Sequence, residues 1–168
     1  MPAAYAVGME IEQLRSDETN RLRAIRLQSL QTSPEVFGTT YEDTLTWPSD
    51  SWQQQLGRLT TFVAVEQGAD VGIVRCVAHE ERADTAWLIS MWVAPEARGQ
   101  GVGGALVDVV VEWARAEGFQ RVLLDVIDDN EAAIALYARK GFVPTGGTST
   151  FPPPREHVTE HERELRLV

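Results

Sequence analysis

The sequence has little cysteine, little lysine and no long apolar run. Its 168 residues contain a single cysteine, Cys76, so an internal disulfide is excluded and a reducing compartment is expected. The longest uncharged stretches, such as 85–95, fall well short of the roughly 18 apolar residues that span a membrane. No cationic start followed by an apolar run opens the chain, so we predict no signal peptide. These absences predict a cytoplasmic protein without a membrane segment.

Positive charge is also scarce. Lys and Arg number 15 against 25 Asp and Glu, a net charge of −10 at pH 7, and Lys140 is the single lysine. Such a balance argues against nucleic acid or an anionic membrane as the main partner, and it suits an amine-bearing substrate. A chain of 168 residues has room for one domain and is long enough to bury a core without a disulfide or metal.

The periodicity of the apolar residues predicts an α/β fold. Strands at 61–66, 71–79 and 85–93 are joined by connections so short that antiparallel hairpins are implied. Ser16 is the predicted N-cap of a helix that reaches about Gln31. The other predicted elements are a strand through Val7, Met9 and Ile11, a loop and short helix over 37–56, helices at 101–117 and 130–140, and strands at 121–127, 142–143 and 164–168. The pattern predicts a mixed, mostly antiparallel sheet flanked by helices, with one strand–helix–strand crossover.

A glycine-rich turn, 98–104 (RGQGVGG), precedes the helix of that crossover. Glycines let backbone amides approach an anion closely, and the helix that follows adds its positive end, so the turn predicts a pyrophosphate site. Gly99, Gly101 and Gly104 also match the dinucleotide fingerprint G-x-G-x-x-G, with Asp125 as the acid for a ribose. The antiparallel hairpins argue against this alternative, because a doubly wound fold needs repeated parallel units.

A second motif lies at the start of the last predicted helix. Asn130 is a good N-cap, and Tyr137 follows seven residues later, roughly 10 Å further along the same helix face. A tyrosine at such a position is commonly a core residue. Its place on a capped helix directly after the anion site favours a functional interpretation.

Two patterns resemble metal-ligand spacings. The segment 157–161 (HVTEH) matches H-x-x-E-H, and Cys76 with His79 forms C-x-x-H. The first follows a triple proline and runs into a predicted strand, and strand alternation points the second pair to opposite faces. We interpret both as coincidental, expect no metal, and place all three histidines at the surface or in loops.

The two main motifs together resemble the GNAT superfamily of acyl-CoA-dependent N-acetyltransferases. The run 88–103 (LISMWVAPEARGQGVG) is similar to the family's motif A, with its R/Q-x-x-G-x-G/A signature. The pattern N-x-x-A-x-x-L-Y-x-x-x-G-F at 130–142 is similar to motif B. The resemblance implies one acetyltransferase domain over 1–168 with a core at 61–142, acceptor-side elements at 16–58 and 143–168, and a splayed strand pair that holds CoA.

The resemblance also implies a role for individual residues. Tyr137 corresponds to the general acid that protonates the departing thiolate, and Lys140 is a further candidate for a CoA phosphate. The cofactor contacts that it implies are the backbone of Met91, Trp92 and Val93 for the pantetheine arm, Arg98, Gly99, Gln100, Gly101, Val102, Gly103 and Gly104 for the pyrophosphate, and Asn130 and Tyr137 near the pantetheine and thioester. The implied reaction moves an acetyl group from acetyl-CoA to a primary amine by direct attack in a ternary complex.

Such a reaction needs a base, since deprotonating a lysine-like amine at pH 7 costs roughly 4–5 kcal/mol. Asp125 occupies a position that carries a Glu base in one protein-acetylating branch of the family. Glu42 and Asp43, beside Tyr41, are equally consistent with binding a cation. Tyr41, Glu42 and Trp47 are the predicted acceptor-binding residues. The acceptor, a small molecule or a protein N-terminus, stays open at this point, and dimers are common in the family.

Two other functions are compatible with the same motifs: an acetyl-CoA-binding module without catalysis, and an NAD-binding oxidoreductase. The net charge adds one expectation about the surface. Because the turn around Arg98 needs a positive local field to hold a pyrophosphate, we expect the acidic residues elsewhere, forming an acidic acceptor face.

Overall fold

The computed structural model describes residues 8–167, which form one sheet with helices on both faces. The strands are β1 (Met9–Gln13), β2 (Thr60–Glu66), β3 (Ala69–Ala78), β4 (Thr85–Val93), β5 (Arg121–Ile127), β6 (Val143–Thr150) and β7 (Thr159–Arg166). The helices are α1 (Thr19–Thr32), α2 (Tyr41–Leu45), α3 (Ser49–Arg58), α4 (Val102–Ala116) and α5 (Glu131–Arg139). None of the helices in this part of the chain is both long and apolar enough to cross a bilayer.

The sheet is mixed and mostly antiparallel, in the order β1-β2-β3-β4-β5-β7-β6. The pair β4–β5 is parallel, and α4 makes the crossover between its two strands. All the other paired strands are antiparallel. The predicted fold class and crossover are confirmed, and the antiparallel pairing excludes the doubly wound sheet of the dinucleotide alternative.

The strands β4 and β5 separate soon after they begin. Their pairing covers Thr85–Trp87 of β4 and Arg121–Leu123 of β5, and no further residues. The β3–β4 register shifts between Ile73 and Arg75, and Ser90 adopts a left-handed backbone with φ of 59°. Such a bulge bends its strand and increases the twist. The predicted splayed pair is therefore present, with the bulge on the strand that diverges.

The hydrophobic core joins the sheet to α4 and to residues of α1 and α3, and α4 lies very close to the sheet. A Cβ atom at Gly72 of β3 would lie 3.0 Å from Cδ1 of Leu106 and 3.2 Å from the carbonyl oxygen of Trp92. Glycine therefore allows α4 to approach the sheet closely. Leu106 and Ile73 are fully buried, and each side chain of this size contributes roughly 1.5–3 kcal/mol to folding when removed from water.

Several element boundaries differ from the sequence expectations. The first helix begins at Thr19 rather than after Ser16, because the carboxylate of Glu18 accepts a hydrogen bond from the Arg15 amide at 2.7 Å and forms a separate turn there. The first strand is present, although Val7 lies outside the described residues. The last two strands are much longer than 142–143 and 164–168. Their alternation of polar residues, as in the β7 segment TEHERELR, gave no hydrophobic signal.

Candidate active site

A cleft of about 450 Å³ opens where β4 and β5 diverge. Its floor and one wall come from these strands, and α5 forms a further side. The opposite side comes from the segment after α1 and from the chain around β7. The lining residues are Arg26, Val36, Phe37, Gly38, Thr39, Arg75, Trp87, Leu88, Ile89, Ser90, Met91, Asp125, Val126, Ile127, Asn130, Ala133, Tyr137, Pro152 and Glu160. The sequence regions 16–58 and 143–168 thus both contribute to it, beside the central motifs.

One side of the cleft is the edge of β4 that faces β5, which is unpaired after Trp87. The β4 residues after Trp87 are bonded to β3 on one side, and they have no partner strand on the side of β5. Met91, Trp92 and Val93 belong to this edge, and Met91 lines the cleft. Backbone N–H and C=O groups in such a position need a partner, so this edge can accept an extended, amide-containing ligand as an added strand.

The glycine-rich turn leads from this edge into α4. Gly101 is the N-cap residue with φ of 85°, and no side chain caps the helix. The amides of Val102, Gly103 and Gly104 occupy the first turn of a helix, where N–H groups have no intrahelical acceptor. Arg98 donates to two neutral acceptors, the Val93 carbonyl oxygen at 3.0 Å and Ser33 Oγ at 3.2 Å, so its charge is not cancelled by them. The turn combines free amides, a helix N-terminus and a cation, which suits a pyrophosphate.

Gly101 allows a direct test of this turn. We expect Gly101→Ala to cost about 1–2 kcal/mol, because alanine disfavours a left-handed backbone, and to lower the melting temperature by roughly 2–8 °C. A Cβ added at Gly101 has no atom within 4 Å, so the change in stability reports the backbone conformation and not a steric clash. Gly57→Ala in α3 is the matched control, with equal open space and a helical site, and it should stabilise the protein. Equal melting temperatures for Gly101→Ala and the native protein would contradict a left-handed backbone at this position.

The helix α5 places its two motif residues along the cleft. The side-chain oxygen of Asn130 accepts a hydrogen bond from the Ala133 amide at 3.3 Å, as an N-cap does. Tyr137 is 4% exposed, lines the cleft and packs edge-on against Phe142 at 5.8 Å between ring centres. Burial raises the pKa of the Tyr137 phenol, so the hydroxyl keeps its proton at neutral pH. A protonated phenol beside the cleft is suited to donate a proton.

Two carboxylates, Asp125 of β5 and Glu160 of β7, line the cleft. The register pairs Ile127 with Glu160 and Asp125 with Glu162, so Asp125 and Glu160 are diagonal neighbours on one face. Burial and the charge of Glu162 raise the pKa of Asp125. Burial and the charge of Asp125 raise the pKa of Glu160. A carboxylate with a raised pKa is a better proton acceptor near neutral pH.

Two arginines lie on the other wall of the cleft, Arg26 of α1 and Arg75 of β3. Both are buried, at 4% and 7% exposure. Arg75 donates to Ser90 Oγ from Nε at 3.0 Å and from Nη2 at 2.8 Å, and from Nη1 to Gln55 Oε1. These bonds fix the bulge of β4 against α3. The cleft is consequently not uniformly acidic, because Arg26 and Arg75 line it together with Asp125 and Glu160.

The structure does not bring every predicted site residue to the cleft. Tyr41 and Glu42 line a separate hollow with Arg155, and Trp47 packs against Trp52 at 5.3 Å between ring centres. Lys140 forms an ion pair with Asp108, with Nζ 2.8 Å from Oδ1. Tyr41 and Glu42 thus belong to another part of the surface. Trp47 and Lys140 are engaged in contacts with other side chains of this chain.

The structure shows the surroundings of the two sequence patterns that resemble metal-ligand spacings, HVTEH and Cys76 with His79. From Thr159 onward the segment HVTEH is strand β7, not a helix, and His161 contacts Asp128 with Nε2 2.6 Å from Oδ1. His161 therefore lies in a strand, with its side chain 42% exposed at the surface. Cys76 is fully buried, and burial raises the pKa of its thiol to about 12. No group of three or more potential metal ligands occurs among residues 8–167.

The sequence reasoning missed Glu160, Arg26 and Arg75 as lining residues. Glu160 stood inside the dismissed HVTEH pattern, and its neighbours gave no hydrophobic signal. Arg75 interrupts the apolar run VGIVRCVA of β3, and a charge in the middle of a buried strand is itself unusual. That interruption was the signal that could have identified it. Arg26 shows no such signal, because arginines are common on helices.

The chain matches the model of the acetyltransferase (GNAT) family over residues 22–142. Among curated proteins it is 35% identical over 85 residues to an uncharacterized N-acetyltransferase of Methanocaldococcus jannaschii, covering 48% of this chain and 38% of that protein. It is 29% identical over 136 residues to the mycothiol acetyltransferase of Propionibacterium freudenreichii, covering 80% of this chain and 43% of that protein. The chain thus spans less than half the length of these two relatives.

Solved structures share the fold at low sequence identity. A GNAT-family acetyltransferase from Streptococcus pneumoniae superposes with a TM-score of 0.79 at 22% identity, covering 95% of this chain and 99% of that one. A Salmonella typhimurium protein, solved with its cofactor acetyl-CoA, gives 0.76 at 19% identity, covering 95% and 94%. The fold of this chain is therefore shared with these proteins.

Proposed function

Because this chain belongs to the GNAT family of acetyltransferases, we propose that it transfers an acetyl group from acetyl-CoA to a primary amine within a ternary complex. The observation that carries the proposal is the unpaired β4 edge, which runs from the uncapped start of α4 to the cleft beside Tyr137. We propose one acetyltransferase domain, in which the core at 61–142 holds the acyl donor and the elements at 16–58 and 143–168 hold the acceptor.

The proposed binding site for acetyl-CoA is built from backbone groups that have no hydrogen-bond partner within the described part of the fold. Acetyl-CoA, when bound, supplies an activated acetyl thioester. The backbone of Met91, Trp92 and Val93 would bind its pantetheine amides as an added strand. The first-turn amides of α4 and the cation of Arg98 would bind the pyrophosphate, where a helix N-terminus favours negative charge. Lys140 is held by Asp108 and is a weaker candidate for a CoA phosphate.

The acceptor amine must lose a proton before it attacks. Asp125 or Glu160 takes this proton, directly or through a water, because both line the cleft and both have a raised pKa. The nitrogen then forms a bond to the acetyl carbon as the carbon–sulfur bond breaks. Backbone N–H groups of the unpaired β4 edge are suited to stabilise the developing oxyanion. Tyr137 gives its proton to the departing sulfur, and the attacking nitrogen loses its second proton, which restores the phenol through water. The carboxylate takes the first proton of the amine and then releases it to solvent.

Release of free thiol from acetyl-CoA in the presence of an amine panel tests this function. We expect thiol release that depends on the amine, together with a mass increase of the amine by one acetyl group. Thermal shift with CoA and with NAD(H) accompanies the assay. Stabilisation by CoA without turnover of any amine would indicate a binding module, and stabilisation by NAD(H) alone would indicate an oxidoreductase.

A further inference from the structure

The two buried arginines of the cleft have no carboxylate partner. Among residues 8–167, the salt bridges of arginine involve Arg15, Arg21, Arg82, Arg121 and Arg166, and they include neither Arg26 nor Arg75. Buried arginines are normally paired, because an isolated charge loses its hydration without compensation. Two such arginines in one cleft therefore require a further explanation.

The hydrogen bonds of the two side chains differ. Each of the three Arg75 side-chain nitrogens donates to a neutral acceptor, either Ser90 or Gln55. Arg26 places its guanidinium carbon 5.2 Å from the centre of the Phe37 ring, and its buried Nη1 has no hydrogen-bond partner in the described part of the chain. Arg26 thus offers an unused donor at the wall of the cleft, and Arg75 holds its position by structural bonds.

The electrostatic surroundings of the arginines are positive. Burial lowers the pKa of Arg26 to about 10. Burial, and then the charges of Arg26 and Arg58, lower the pKa of Arg75. The charges that act on Asp125 come from Glu162, His79 and Arg82, so the two arginines do not neutralise it. The cleft has one cationic wall and one carboxylate wall.

We propose that the acceptor carries a carboxylate on the same small molecule as the reacting amine, and that Arg26, with Arg75 behind it, binds this carboxylate. The proposal rests on the proposed acetyl transfer and names the class of its acceptor. A guanidinium is matched to a carboxylate in charge and in planar geometry. The carboxylates on the opposite wall suit the amine, so the two walls fit the two charges of an amino-acid-like zwitterion.

The size of the cleft supports a small acceptor. Its volume of about 450 Å³ lies near the lower end of ordinary small-molecule sites. The same opening between β4 and β5 must also admit the end of the pantetheine arm, which leaves less space for the acceptor. The loop residues Phe37, Gly38 and Thr39 and the proline at 152 lie around this space. An amino acid fits this description better than the N-terminus of a folded protein.

The direct test compares amino acids with their carboxamides, which keep the amine and lose the negative charge. We expect kcat/KM to be about 10- to 100-fold higher for the acid than for the matched amide, as expected for a hydrogen bond to a charged group. Arg26→Met should abolish this preference. Arg23→Met, an exposed arginine on the same helix, is the matched control and should retain it.

A second measurement does not depend on catalysis. With CoA in place of acetyl-CoA no transfer can occur, and thermal shift reports binding alone. The amino acids should raise the melting temperature of the native protein and of Arg23→Met more than the amides do, and this difference should disappear in Arg26→Met. The comparison of acid with amide in the native protein stands even if Arg26→Met does not fold.

The two proposals fail in distinguishable ways. Acetylation of amines with no preference for acids over amides, and equal thermal shifts, would overturn the carboxylate site and leave the acetyltransferase proposal intact. A clear acid preference in the thermal shift without any thiol release would support the carboxylate site and contradict the proposed reaction.

Discussion

Tyr137→Phe is expected to lower kcat by about 10- to 100-fold while CoA binding stays unchanged. The phenol is buried, lines the cleft and carries its proton at neutral pH, so it can donate that proton to the departing sulfur. The effect is kept below the upper range for general acid catalysis, because a thiol with a pKa near 8.5 is already a fair leaving group. Phenylalanine preserves the ring that packs against Phe142, so the fold should be retained.

Thiol release at saturating acetyl-CoA measures the loss of turnover, and titration with CoA measures binding. A loss confined to kcat supports a proton donor. A variant with the native kcat would refute the role of Tyr137, and a loss that follows weaker CoA binding would assign the residue to the donor site instead. Melting temperature is the control for folding.

The combination of Asp125→Asn with Glu160→Gln should have the largest effect on the pH profile. We expect kcat/KM at pH 7 to fall by about 100-fold or more, since both proton acceptors are removed from the cleft. The loss should shrink as the pH approaches the pKa of the acceptor amine, near 10.4 for a lysine-like amine, because the free base then forms without help. Each single variant should lose less, because the other carboxylate remains.

The same pair makes a prediction about stability. The pKa values of Asp125 and Glu160 are raised, so their protonated forms stabilise the fold, and this contribution is lost as the pH rises through the raised values. The amide variants carry no such charge. At pH 8 the double variant should therefore have a melting temperature equal to or above that of the native protein. This difference in melting temperature should shrink when the pH falls below the usual pKa of carboxyl groups.

Glu162→Gln is the control for that sign. Although burial raises the pKa of Glu162, hydrogen bonds from Thr145 and Arg82 lower it overall. Its ionised form thus stabilises the fold above the usual carboxyl pKa, and Glu162→Gln should melt below the native protein at pH 8. Equal behaviour of Glu160→Gln and Glu162→Gln would contradict the opposite directions of their pKa shifts.

Much of the fold was predictable because its signals are local. The turn before α4 needs a residue that tolerates φ of 85°, and the sequence has Gly101 there. The cap of α5 needs an acceptor for an amide three residues on, and Asn130 provides it. Both requirements are met within a few residues, so they can be recognised without knowing what packs around them.

The predicted acceptor residues illustrate the limit of such reasoning. Aromatic residues beside a proline are equally consistent with a binding wall and with packing, and the structure places Trp47 against Trp52. Tyr41 is near in sequence to the cleft residues at 37–39, yet it lines another hollow. Where a loop turns between these positions is decided by its contacts with the rest of the chain, which the local pattern does not contain.

The sequence by itself determined the class of protein: one acidic chain, an α/β sheet with a crossover, and a glycine-rich turn that suits a pyrophosphate. The tertiary structure decided the chemistry of the acceptor side. Strand β7 inserts between β5 and β6 and brings Glu160 beside Asp125, while α1 carries Arg26 to the wall that contains Arg75. These residues are distant in sequence, and their pKa values depend on burial and on charges that only the folded chain brings together.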